Sequence, residues 1–104
     1  MVKKKIIWTK RAHSELYETL DYYTNRNKSR IYSTKLYKEI QQKLRKLDFS
    51  IALPKKTSKP NIFYFTYKHV SVFFSFQENT IFVKALSDDR RNPKSFELIL
   101  RNLE

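Results

Sequence analysis

The chain has 104 residues and carries 22 Lys+Arg against 10 Asp+Glu, a formal charge of +12. Hydrophobic residues at 40% and aromatics at 15% exclude a disordered basic tail, and the length fits a single domain, residues 1–104, around one core. With no cysteine and no glycine there is no disulfide, no thiolate metal site, no cysteine nucleophile and no Gly-rich phosphate loop, and His13 and His69 alone suggest no metal or cofactor.

Lys4 to Trp8 reads as a short first strand, and Thr9 is placed to cap a helix. Ala12, Leu16, Leu20 and Tyr23 then recur at helical spacing, predicting roughly four turns with one buried face. Arg11 and Glu15 form an i,i+4 pair of opposite charge. The polar run Thr24-Asn25-Arg26-Asn27-Lys28 ends that pattern, and Ser29 can cap a second helix with the stripe Tyr32, Leu36, Ile40, Leu44 and Leu47. From Ile51 to Asn61, two prolines and three lysines predict a loop.

Three runs dense in β-branched and aromatic residues follow: Ile62–Tyr67, Val70–Phe76 and Thr80–Leu86. Their separators, Lys68-His69 and Glu78-Asn79, suit tight hairpins, so the runs predict an antiparallel meander. Val70, Val72, Phe74 and Phe76 alternate with Ser71, Phe73 and Ser75 and give an apolar face for the helices to cover. Phe96, Ile99, Leu100 and Leu103 mark a short final helix. The expectation is an α+β fold of order β-α-α-β-β-β-α: a two-helix hairpin packed on a twisted antiparallel sheet that the first strand joins.

The charge is unevenly spread. Residues 25–48 hold eight basic and two acidic side chains, and residues 49–77 hold four basic and none acidic, whereas residues 78–104 are balanced at five each. Such an imbalance opposes compaction and points to a polyanionic or acidic partner. The basic N-terminus is followed by only three apolar residues before Thr9-Lys10-Arg11, so neither a signal peptide nor a membrane span is expected and the default location is cytoplasmic.

Ile7-Trp8-Thr9 with Ala12, Leu16 and Tyr22-Tyr23, a second helix, a three-strand meander and the exit Asp89-Arg90-Arg91-Asn92-Pro93 together resemble the RelE/ParE superfamily of type II toxins, over roughly residues 4 to 94. The resemblance implies a bacterial toxin that inhibits growth, serves plasmid stabilisation and is neutralised by a cognate antitoxin, the complex with which would set the oligomeric state. RelE-like members cut messenger RNA on the ribosome; ParE-like members poison DNA gyrase without being nucleases.

RNA cleavage of that kind needs activation of a 2′-hydroxyl, stabilisation of the phosphorane charge and protonation of the leaving oxygen. Candidates for those roles are Lys55, Lys56, Lys59, Tyr64, Tyr67, Lys84, Arg90 and Arg91. Candidates for contacting a target or antitoxin are Lys55, Lys56, Lys59, Arg90, Arg91, Phe96, Ile99 and Leu103. Two departures favour the ParE-like reading: Ser71 stands where many superfamily members place an Arg, and the final helix lacks the Tyr or His that RNA-cutting members often carry. The chain is therefore expected to act by binding rather than as an enzyme, with DNA gyrase as target; a ribosome-dependent endoribonuclease is the alternative.

Simpler readings stand beside these. His69 reads more readily as a solvated hairpin residue than as a general base, and Asp88-Asp89 sit close enough to pair locally with Arg90-Arg91. A basic nucleic-acid-binding module is a further alternative, which would grip phosphates with the second-helix lysines and expose its aromatic strand face; a toxin packs that face on the hairpin.

Overall fold

The computed structural model describes residues 5–47, 55–90, 94–101 and 103. Strand β1 (Lys5–Trp8) leads into helix α1 (Lys10–Asn27) and helix α2 (Ile31–Arg45), followed by strands β2 (Lys55–Lys56), β3 (Phe63–Tyr67), β4 (Val70–Gln77) and β5 (Thr80–Asp88) and helix α3 (Phe96–Arg101). The sheet order is β1-β5-β4-β3-β2. The α+β class, the hairpin and the three-strand meander are as the periodicity predicts.

Three details differ. The sheet is mixed, because β1 lies parallel to β5, with Lys5 opposite Thr80 and Trp8 opposite Val83. Parallel neighbours need a long crossover, and here α1, α2 and β2–β4 all intervene. Part of the expected loop after α2 is strand: Lys55 and Lys56 pair with Tyr64 and Phe63. Helix α1 runs through the polar stretch to Asn27 and stops only where Lys28 takes a left-handed conformation (φ 52°) and donates its N–H to the Thr24 carbonyl. In a chain without glycine that stop is set by backbone geometry and is invisible to composition.

The α1 N-terminus is fixed to the sheet. Thr9 Oγ1 accepts from the Ala12 N–H at 3.2 Å and donates to the Lys84 carbonyl at 3.3 Å, while the Thr9 N–H bonds the Val83 carbonyl at 3.0 Å. One hydroxyl thus caps the helix and satisfies the strand residue skipped in the β4–β5 register, where Phe73 faces Ala85 and Phe74 faces Val83. Glu15 adds a second tie, accepting from the Leu86 N–H at 3.1 Å and pairing with Arg11 at 3.5 Å. The expected Ser29 cap is modest: Arg30 is the N-cap residue and its side chain makes no capping bond, and Ser29 Oγ accepts from the Ile31 N–H.

Two cores result. The larger joins Ala12, Leu16 and Tyr23 of α1 and Leu36, Ile40 and Leu44 of α2 to Val70, Val72, Phe74, Ile81, Val83 and Leu86 of the sheet. The smaller lies on the opposite face and joins Ile62, Phe73 and Ala85 to Ile99 and Leu100 of α3. The helix hairpin is locked by Ser33, whose Oγ donates to the Leu20 carbonyl at 2.9 Å and lies 2.7 Å from Thr24 Oγ1.

Thr9→Ala is expected to destabilise the domain by about 1–2 kcal/mol, since it removes a cap and a strand carbonyl's partner together. Thr9→Ser keeps the hydroxyl and should retain most of that stability. Thermal unfolding followed by circular dichroism compares the two; equal losses would show that the methyl, not the hydroxyl, matters.

Candidate functional site

The register of the meander decides which candidates share a face. Lys55 stands opposite Tyr64, which stands opposite Phe73, so the three occupy one surface, here called the outer face, away from the hairpin. The Tyr64 ring stacks on Phe73 at 5.8 Å and meets Phe96 of α3 edge-on at 4.7 Å, with the Lys55 ammonium 5.7 Å from its centroid. Lys59 reaches the end of α3, donating to the Leu103 carbonyl at 3.2 Å. Arg11 also binds α3, donating to the Ile99 carbonyl at 3.3 Å. Lys84 also faces outward, its ammonium 5.8 Å from the ring of its strand neighbour Phe82.

Tyr67 is three residues from Tyr64 along β3 and therefore lies on the hairpin side, packed against the larger core. Its ring is bracketed by two ammoniums, Lys43 at 5.3 Å and Lys68 at 5.5 Å. Lys68 also lies 5.3 Å from Tyr32, whose ring meets Tyr23 at 5.0 Å. The proposed nucleolytic set is thus divided by the sheet: Lys55, Tyr64 and Lys84 are on one side and Tyr67 on the other. Lys56 is exposed on the β2 edge, and Arg91 lies outside the described residues.

Arg90 is exposed at the β5 exit, and its position is determined from beneath. Asp88 is buried at 1% exposure, and its Oδ1 accepts from the Arg90 N–H at 2.8 Å. Tyr23, 3% exposed, lies against the same carboxylate. Asp88 therefore holds the backbone of the turn rather than the Arg90 guanidinium that the sequence suggested as its partner. Burial first, and then the adjacent Asp88, push the Tyr23 pKa well above the ordinary tyrosine range; the Arg90 charge opposes this.

Of the α3 candidates, Ile99 is buried in the smaller core and Leu103 is half-buried against it, while Phe96 is 37% exposed. Leu98, which the sequence reading did not single out, is the most exposed apolar residue of α3 at 45%. Lys43, Lys68 and Tyr32 were missed as a group as well. They converge only in three dimensions, and no sequence motif marks them. Among the described residues no His/Asp/Glu cluster suits a metal, and no helix is long and apolar enough to cross a membrane.

No family model and no curated protein matches this sequence. Among solved structures, a chain of the chromosomal ParDE TA system from P. aeruginosa superposes with a TM-score of 0.65 at 15% identity, covering 83% of this chain and 96% of its own. The two-helix hairpin on a five-stranded sheet is thus a fold this chain shares with a chain of that ParDE TA system, in keeping with the fold that the resemblance around Ile7-Trp8-Thr9 and Asp89-Arg90 implied.

Tyr23 yields a pH test. A tyrosine whose folded pKa is raised contributes stability that is complete below its unfolded pKa of about 10 and is lost as pH climbs from there through the higher folded value. The wild type should therefore lose stability more steeply above about pH 10 than Tyr23→Phe, by denaturant midpoints at stepped pH. Parallel curves would mean that Tyr23 ionises as readily folded as unfolded.

Proposed function

We propose that this protein is the toxin component of a type II toxin–antitoxin pair, held inactive by a cognate antitoxin, and that it acts in the ParE manner, by binding to and poisoning DNA gyrase without cleaving a substrate. The observation that carries the toxin reading is the fold shared along most of both chains with a member of a ParDE system. The burial of Val70, Val72 and Phe74 under the hairpin also favours a toxin over a nucleic-acid module with an open aromatic sheet.

The choice of gyrase over the ribosome rests on chemistry. General acid–base cleavage needs donors and acceptors gathered within hydrogen-bond reach of one phosphate. Here the half-buried Tyr64 packs its ring on Phe73 and Phe96, Tyr67 lies across the sheet, and Ser71, where an Arg would serve a ribonuclease, is 3% exposed. Arg90, exposed on a turn anchored by Asp88, is the candidate for contact with the target.

Induced expression should arrest growth, lower supercoiling activity in extracts and leave ribosome-bound messages intact. Arg90→Ala should relieve the arrest at least tenfold in colony counts while the protein stays folded. Message cleavage at ribosomal positions, lost together with arrest in Arg90→Ala, would instead establish the RelE-like endoribonuclease.

A further inference from the structure

Three loops that are distant in sequence meet at one end of the molecule. The last turn of α1 and the α1–α2 link contribute Arg26, Lys28 and Arg30, the β3–β4 turn contributes Lys68, and the β5 exit contributes Arg90; all five are exposed. Their convergence is fixed by specific contacts. Tyr67 and Val70, which flank the turn, pair with each other, and Val70 pairs with Asp88 at the end of β5. The Asp89 N–H donates to the His69 carbonyl at 2.9 Å, joining the β5 exit to the β3–β4 turn. The Lys68 ammonium over Tyr32 joins that turn to the start of α2, and the proximity of Tyr23 to Asp88 brings the last turns of α1 to the end of β5.

The acids of this pole do not offset its cations. Asp88 is buried and engaged by Tyr23 and the Arg90 N–H, which leaves Asp89 as the exposed carboxylate among the residues of these turns. Nor do the tyrosines of the pole present open ring faces, and the exposed ring of these turns is the small imidazole of His69. Tyr23 is buried, and the rings of Tyr32 and Tyr67 carry the ammoniums of Lys68 and Lys43. A single strand is held chiefly by stacking its splayed bases on free aromatic faces. A surface of exposed cations whose tyrosine rings already carry ammoniums suits the regular phosphates of a duplex instead.

We propose that this pole is a docking surface for the phosphate backbone of duplex DNA, with contacts from Arg26, Lys28, Arg30, Lys68 and Arg90 that do not read base sequence. The inference rests on the gyrase reading only for the choice of DNA over duplex RNA, since gyrase acts on DNA. In a poisoned complex the toxin would then hold DNA as well as enzyme.

Purified protein titrated into a fluorescent duplex of about 20 base pairs tests this without gyrase. Five phosphate contacts should give a log K versus log salt slope of about −4.5, a roughly 500-fold loss of affinity between about 50 and 200 mM salt. Replacing Arg26, Lys28 and Arg30 with Gln should bring the slope to about −2, and Lys68→Gln with Arg90→Gln should remove about two units. Lys5→Gln, beside Thr80 at the other end of β5, should leave it unchanged. Circular dichroism melts identify any variant that fails to fold, and the two pole variants alter different elements.

A wild-type slope shallower than about −2, a slope indifferent to both pole variants, tighter binding to single strands or to duplex RNA, or affinity only for an acidic peptide would each overturn the proposal. Pole-dependent DNA binding with no effect on gyrase would refute the proposed function while leaving this site standing.

Discussion

Phe73 and Phe74 are adjacent, both fully buried, and on opposite faces of β4, and the rest of the architecture follows from that arrangement. A strand buried on both faces at its centre needs a cover on each side. The hairpin α1–α2 supplies one and α3 the other. Each Phe contributes about 1.5–3 kcal/mol by leaving water, and truncating either would leave a cavity costing about 3–5 kcal/mol. The skipped Lys84 opposite this pair resets the parity of β5, so that Ala85 packs toward α3 while Leu86 returns to the hairpin core. Thr9 binds the Lys84 carbonyl, and so the chain's first helix is registered on the same irregularity.

Periodicity made the hairpin and meander legible in the sequence because each is specified locally: a four-residue step on α1 and α2, a two-residue alternation on β4. What was not legible depends on long-range pairing or on backbone geometry. The parallel match of β1 to β5 joins residues 75 apart at Lys5 and Thr80. Strand β2 has two residues and no period to detect; its existence depends on Phe63 and Tyr64 presenting a free edge. The extra length of α1 carries polar residues, because its final turn projects beyond the cores.

The site was legible in composition and not in arrangement. Lys55, Lys59 and Arg90 were recognisable as basic residues near strands, but register alone puts Lys55 over Tyr64 and sends Tyr67 to the other side. The adjacency of Asp88-Asp89 to Arg90-Arg91 suggested neutralised arginines. In the fold, Asp88 is buried beside Tyr23 and its Oδ1 accepts from the Arg90 N–H, so the exposed Arg90 stands on a supported turn.

The missing glycines bear on the same end of the molecule. Among the described residues four non-glycine positions, Lys28, Asn61, Lys68 and Glu78, have positive φ. A left-handed conformation costs a residue with a Cβ roughly 1–2 kcal/mol, less for Asn, and glycine would remove that strain. Two of the four are lysines on turns that meet at the basic pole, Lys28 ending α1 and Lys68 between β3 and β4. Both conformations are held by their neighbours: Lys28 by its N–H to the Thr24 carbonyl, Lys68 by the hairpin that pairs Tyr67 with Val70. At these two positions the sequence keeps a cation where a turn alone would favour glycine. Strain retained together with charge is what a surface selected for an anionic partner would show, and it ties the net charge of +12 to a place rather than to the chain at large.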